Sequence, residues 1–246
     1  MTQGSIPILH IVLFVSTFLT TLIAGALHQG IDIIDNPFGI LRGFPFAATL
    51  MTILLCHEFA HYIASHLNHT KATLPYFIPA PSLIGTFGAF IKMKSPIISR
   101  KALIDIGASG PIVGFIVSLF ASVVGLYMSE VVYSPKDDGF IKLGDSLLFK
   151  LLAYTIHGEL AKDMDILLHP VGFAGWIGLF ITSLNLMPIG QLDGGHITYA
   201  LIGQRHRQLS VVITAILIVS GFVFWEGWVV WGVMMIILGT ALLAQR

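Results

Sequence analysis

Charge is scarce in this sequence: Asp, Glu, Lys and Arg make up 11% of the 246 residues, hydrophobic residues make up 55%, and mean hydropathy is +0.86. A soluble domain carries about 25% charged residues. Too few are present here to coat a water-facing surface, so the solvent implied for most of the chain is lipid. Acids and bases balance at 13 each, leaving no basic excess to attract nucleic acid. Cysteine is nearly missing. The single residue, Cys56, excludes an intramolecular disulfide. It precedes His57, but on a helix it points about 100° from His57 and about 140° from His61, so we read it as a small buried apolar residue. No cationic region precedes the first apolar stretch and no small-residue cleavage site follows it, which reads as a retained span rather than a signal peptide. No repeat, low-complexity linker or loop of the roughly 50 residues a soluble domain needs is present. One membrane-embedded domain over residues 1–246 is expected.

What the sequence does have is apolar length. A spanning helix needs about 20 mostly apolar residues, and six stretches approach that: 7–27, 44–66, 103–128, 169–189, 208–225 and 227–244. The last two meet at Glu226-Gly227 and read as a tight helical hairpin. The loop 67–102 carries Lys71, Lys92, Lys94, Arg100 and Lys101 and no acid, the link 203–208 carries Arg205 and Arg207, and the chain ends in Arg246. The loop 28–43 sets Asp32 and Asp35 against Arg42, and the loop 129–168 sets seven acids against four lysines. Basic loops face the cytoplasm; six spans with both termini cytoplasmic put every basic loop there. Within 129–168, Ser134–Gly139 reads as a turn. Residues 145–157 read as an amphipathic helix lying flat at the interface, with Asp145 and Ser146 as N-terminal caps.

Residues 75–96 break the pattern. Pro75, Pro79 and Pro81 forbid a regular helix, and Phe87–Lys94 reads as a short strand. Backbone of that kind at membrane depth requires protein or a cavity to satisfy it, and a re-entrant β-hairpin dipping toward the second span fits better than an ordinary cytoplasmic loop. The fold class is therefore all-α integral membrane protein, six transmembrane helices with a short re-entrant β-hairpin after the second.

Within the second stretch stands His57-Glu58-Phe59-Ala60-His61. Histidines four apart leave one face of a helix a turn apart, a spacing that suits two ligands of a tetrahedral zinc, and Glu58 is placed to accept a proton from an attacking water. Each charged or polar residue in such a span costs about 2.5–3.5 kcal/mol on insertion scales, and a bound metal is the compensation we infer. A catalytic zinc needs a third protein ligand and an open position. Asp193, in Leu192-Asp-Gly-Gly-His196, is the candidate: Pro188, Gly190, Gly194 and Gly195 break the preceding helix near the same membrane face. His61 lies five residues inside that face, roughly 8 Å deep at 1.5 Å per residue, so depth permits the meeting. His196 is the rival third ligand. Asn185 is buried by pattern and must bond something: another helix, or a substrate carbonyl as it becomes an oxyanion. Gly107–Gly114 opens the third span with small residues suited to tight helix contact, and Asp105 reads as an interfacial cap.

These residues together resemble the site-2 protease family of intramembrane metalloproteases. The matching pieces are His57-Glu-Phe-Ala-His61 in an early span, Gly85-Thr-Phe-Gly-Ala89 in the loop after it, and Asn185-x-x-Pro188 leading into Leu192-Asp-Gly-Gly195. The resemblance implies one catalytic zinc held by His57, His61 and Asp193, and Glu58 as catalytic base. It implies substrate binding by Asn185 and by Gly85, Thr86, Phe87 and Gly88, the strand region pairing with unwound substrate. It further implies transmembrane protein substrates, a lipid bilayer around the enzyme and, within the compact prokaryotic and plastid-type branch it most resembles, a prokaryotic plasma membrane as the expected location. The family's PDZ and nucleotide-sensing modules have no counterpart in the sequence. Lys71, Lys92 and neighbouring cations read either as positive-inside anchors or as contacts for a substrate's cytoplasmic flank. Two rival functions are a catalytically silent scaffold for membrane helices and a metal-ion transporter; the second expects polar groups strung along several spans, whereas here they converge on one locus.

Overall fold

The computed structural model describes residues 7–97, 99–133, 143–144, 146–190, 192–223 and 227–240. The chain is mainly helical, with α1 (Ile8–Leu27), α2 (Phe44–Leu67), β1 (Tyr76–Pro79), β2 (Thr86–Phe90), α3 (Arg100–Tyr127), β3 (Glu130–Tyr133), α4 (Leu147–His157), β4 (Met164–Leu167), α5 (Pro170–Asn185), α6 (Asp193–Ile202), α7 (His206–Val223) and α8 (Gly227–Thr240). Among the described residues, four stretches are long and apolar enough to cross a membrane: Ile8–Leu27, Pro37–Leu67, Arg100–Tyr127 and Asp193–Val223. Helix α5, with 16 residues, covers about 24 Å at 1.5 Å per residue, short of the roughly 30 Å hydrocarbon core. It ends at Asn185, before the expected limit of 189.

The residues cluster into two compact units, one of Met1–Cys56, Pro75–Phe90 and Gly114–Phe180, the other of His57–Leu74, Ile91–Val113 and Ile181–Arg246. In the first, β1 and β2 pair antiparallel, Tyr76 opposite Phe90 and Phe77 opposite Ala89. Strand β1 lies along α1, leaving β2 as the outer strand. Three α1 side chains fasten this hairpin through its carbonyls. His10 Nδ1–H donates to Pro75 at 3.0 Å, Thr20 Oγ1–H to Gly85 at 2.6 Å and His28 Nε2–H to Leu83 at 2.6 Å. Gly85 has φ +81°, and a Cβ there would run into the backbone of Thr20 and Thr21. Gly85→Ala is therefore expected to cost at least the roughly 1–3 kcal/mol of a strained backbone, read as a lower denaturation midpoint. Elsewhere in this unit α3 and α5 meet through Gly125 and Gly172, and Phe46, Leu50, Leu126 and Ile177 are fully buried. Strands β3 and β4 pair antiparallel. Helix α4 occupies most of the expected 145–157 segment, with Ser146 at its N-cap but making no side-chain cap bond. Asp145, the turn at 134–139 and Glu226 lie outside the described residues. Cys56 is free and half-buried rather than buried.

In the second unit the extended segment after β2 pairs with the chain leaving α2: Ala72 bridges Met93, Thr73 N–H donates to Lys92 at 2.9 Å, and Lys94 N–H to Lys71 at 2.7 Å. The expected strand 87–94 is thus shared between two pairings. Helices α7 and α8 pack antiparallel, Gly221 against Val229 and Gly232 against Ile218, the arrangement expected of a helical hairpin. The chain break that Pro188, Gly190, Gly194 and Gly195 predict is followed at once by helix α6, which contains the last two of those glycines.

Candidate metal centre

Helix α2 is apolar along most of its length, and its polar insertion, His57-Glu58 and His61, is buried: 5%, 6% and 5% exposed. Asp193 is the first residue of α6, where a carboxylate is favoured by the positive end of the helix dipole. The two glycines after it allow that placement. A Cβ on Gly194 would strike the Leu186 carbonyl, and one on Gly195 would lie 2.9 Å from the Ile189 carbonyl. The turn 186–190 therefore folds directly onto the first turn of α6, and only glycine tolerates the approach.

The donor atoms converge. His57 Nε2 and His61 Nε2 are 3.1 Å apart, and each lies 3.2 Å from Asp193 Oδ2. For bonds of about 2.0–2.1 Å, the edge of a tetrahedron is about 3.3 Å, so these separations match three corners of a zinc site. The tautomer assigned from the geometry also fits. His61 Nδ1–H donates to the Ile106 carbonyl at 2.7 Å, which leaves Nε2 of the neutral ring with its lone pair directed at the other donors. Two imidazoles and one carboxylate make the donor set of a hydrolytic zinc site, with the fourth corner left to water or substrate. The residues fit the metal.

Glu58 stands beside His57, with His57, His61, Asp193 and the Ile91 backbone N–H all near enough to act on its carboxylate. Helix α3 backs the site: a Cβ on Gly110 would collide with the His61 ring, and one on Gly107 would meet Ile197 at 3.2 Å. Among the described residues the metal-competent cluster is His57, His61 and Asp193. His196, the rival ligand, lies outside it, as does Asp105, which is exposed.

The family of the chain follows from comparison with known sequences. Residues 45–225 match the model of peptidase family M50, a stretch that includes the whole donor cluster. The chain belongs to peptidase family M50. Among its M50 relatives, the probable chloroplastic zinc metalloprotease EGY1 of Arabidopsis thaliana is 33% identical over 165 residues, covering 65% of this chain and 30% of that protein. The probable chloroplastic zinc metalloprotease EGY2 of the same plant is 30% identical over 178 residues, covering 70% and 31%. The M50 chain thus spans under a third of the length of these relatives. Their names place them in chloroplasts, so they lend no support to the expected prokaryotic plasma membrane.

Of the other expected site residues, Asn185 ends α5 and is half-buried, not buried as its pattern suggested. Gly85, Thr86, Phe87 and Gly88 belong to the first unit. There Thr86 is buried, its hydroxyl donating to the Ile78 carbonyl at 2.9 Å, while Phe87 is 74% exposed. Sequence reasoning missed the Ile106 carbonyl and the Ile91 amide, backbone groups that no residue type announces. Gly110 was noted for helix packing; its four-residue offset from Ile106 on one helix face was the available signal.

Proposed function

We propose that this chain is a zinc-dependent endopeptidase that hydrolyses peptide bonds in transmembrane segments of other membrane proteins, within the bilayer and near its cytoplasmic face. The observation that carries the reading is the convergence of His57, His61 and Asp193 to mutual separations of 3.1–3.2 Å beside Glu58 on an apolar helix. The names of the M50 relatives support zinc and proteolysis.

His57 Nε2, His61 Nε2 and Asp193 Oδ2 would hold the ion, with Ile106 fixing the His61 ring. A bound zinc would supply Lewis acidity, bringing the pKa of water down to about 7. Glu58 takes the proton from the attacking water and returns it to the leaving amine nitrogen, a role worth typically 10²–10⁴-fold in rate. Asn185 donates an amide hydrogen to the developing oxyanion. Strand β2, which has no further strand paired on the side away from β1 among the described residues, receives locally unwound substrate as an added strand, offsetting the backbone hydrogen bonds the substrate helix gives up; Thr86, Phe87 and Gly88 form that edge, and Gly85 in the turn before it holds the strand to α1. The topology we favour has six spans in a single domain, both termini on the cytoplasmic side and the hairpin re-entrant, because it keeps every basic loop inside.

Cleavage of a single-span substrate by the purified chain in vesicles, with fragments located by mass spectrometry, tests the reading. Zinc-dependent cuts inside the span are the expected result. Stoichiometric zinc with no cut in any substrate would favour the silent scaffold, and zinc flux across the vesicle membrane would favour a transporter. A more local prediction concerns Gly110: Gly110→Ala is expected to displace the His61 ring and weaken zinc affinity by about 10–100-fold, the usual cost of disturbing a ligand's support. Chelator competition measures it, and unaltered affinity would remove Gly110 from the site.

A further inference from the structure

Between Glu58 and Asp105 the chain contains no acidic residue. Within that interval three lysines fall on one short ribbon of the second unit, Lys71 paired with Lys94 through the Lys94 N–H and Lys92 one position further along, where its carbonyl accepts from Thr73. Residues alternate along the segment. Ile91, Met93 and Ser95 are half-buried, while Lys92 and Lys94 are exposed, and Lys71 is exposed on the facing chain. Ile91 and Met93 are engaged with α2, and Ser95 with the facing chain. The Ile91 N–H lies near the Glu58 carboxylate, the Ser65 hydroxyl on α2 donates to Met93 Sδ at 3.6 Å, and Ser95 Oγ accepts the Lys71 N–H at 2.9 Å. None of the three lysines pairs with an acid among the described residues. The ribbon therefore carries three exposed cations with no acidic partner among the described residues, and its Ile91 amide lies near the Glu58 carboxylate.

We propose that Lys71, Lys92 and Lys94 form a docking surface for anionic phospholipid headgroups, and that headgroups bound there hold the strand whose Ile91 amide positions Glu58. The chain joining α2 to α3 connects two stretches able to cross the membrane, so both its ends lie at one bilayer face, at headgroup level. Lysine suits that place, its stem lying along apolar surface while the ammonium reaches the headgroups. The three side chains are exposed and spread over both facing chains of the ribbon, which favours a diffuse anionic surface over one fixed acidic peptide. Attraction of each lysine to an anionic leaflet is worth about fivefold in association and is screened by salt.

The surface is a separate claim from cleavage; only its effect on Glu58 rests on the protease reading. The full chain, reconstituted with spin-labelled phosphatidylglycerol or phosphatidylcholine, is expected to immobilise the anionic lipid selectively. A Lys71→Gln, Lys92→Gln, Lys94→Gln variant should lose that selectivity by about fivefold per lysine, retain full zinc content and regain selectivity with arginine at the same positions. Cleavage of a substrate with uncharged flanks should run faster in vesicles containing phosphatidylglycerol than in phosphatidylcholine alone for the wild type, and equally in both for the glutamine variant. Equal lipid selectivity in variant and wild type overturns the proposal. So does a cleavage defect confined to substrates with acidic flanks, which would make the lysines readers of the substrate. If no substrate is cut by either protein, the lipid measurement still decides the docking surface.

Discussion

Glu58→Gln is expected to keep its zinc and lose cleavage. Glutamine matches glutamate in shape, and its Oε1 can still face the nearby Ile91 N–H, so the surroundings need not move. What disappears is the ability to take a proton and give it back. General acid–base catalysis is worth typically 10²–10⁴-fold, and the loss should lie in that range for any substrate. Folding should not suffer, because exchanging a buried carboxylate for a neutral amide removes a costly buried charge. Zinc stoichiometry and turnover are measured on the same preparation. Full activity with full zinc would show that another group moves the proton, and loss of both would make Glu58 part of the metal's support.

The two imidazoles were legible because helix geometry converts a four-residue spacing into one face without further information, and α2 delivers them with Nε2 atoms 3.1 Å apart. Asp193 was legible only through the expected topology, in which charge bias sets its segment and His61 near one membrane face; the structure brings Oδ2 within 3.2 Å of both rings. The helix that begins at Asp193 was not legible. Gly190, Gly194 and Gly195 signal chain breaks, yet Gly194 and Gly195 are in a helix, glycine there for the close approach of the Leu186 and Ile189 carbonyls. One residue type serves both purposes, and only the packing partner, eight or fewer residues away, tells them apart. Asn185 misled for a related reason. Its apolar neighbours predicted burial, but it is the last residue of α5, where the helix surface opens.

Asp193→Asn should do the reverse of Glu58→Gln and lose the zinc itself. The substitution preserves volume and leaves α6 its first residue, so the fold is a weak confounder. The carboxylate oxygen that lies 3.2 Å from each ring nitrogen becomes either a neutral carbonyl or an amide nitrogen with no lone pair to offer. The site then presents two neutral imidazoles and no negative charge to a divalent cation in a buried setting, where an uncompensated charge is most costly. Disturbing a group that merely supports a ligand costs 10–100-fold in affinity; removing the charged ligand should exceed that range, with cleavage falling in parallel. Asp193→Ala tests the same point with the oxygen deleted outright. Metal analysis at controlled free zinc distinguishes the outcomes. If the Asn and Ala variants both retained one zinc per chain, the third ligand would lie elsewhere, and His196, three residues along α6 and against Gly107 of α3, would be the first residue to replace. A protein in which Glu58→Gln separates zinc from cleavage while Asp193→Asn removes both together has one residue that holds the metal's charge and another that moves the proton, and neither the scaffold nor the transporter reading predicts that pair of results.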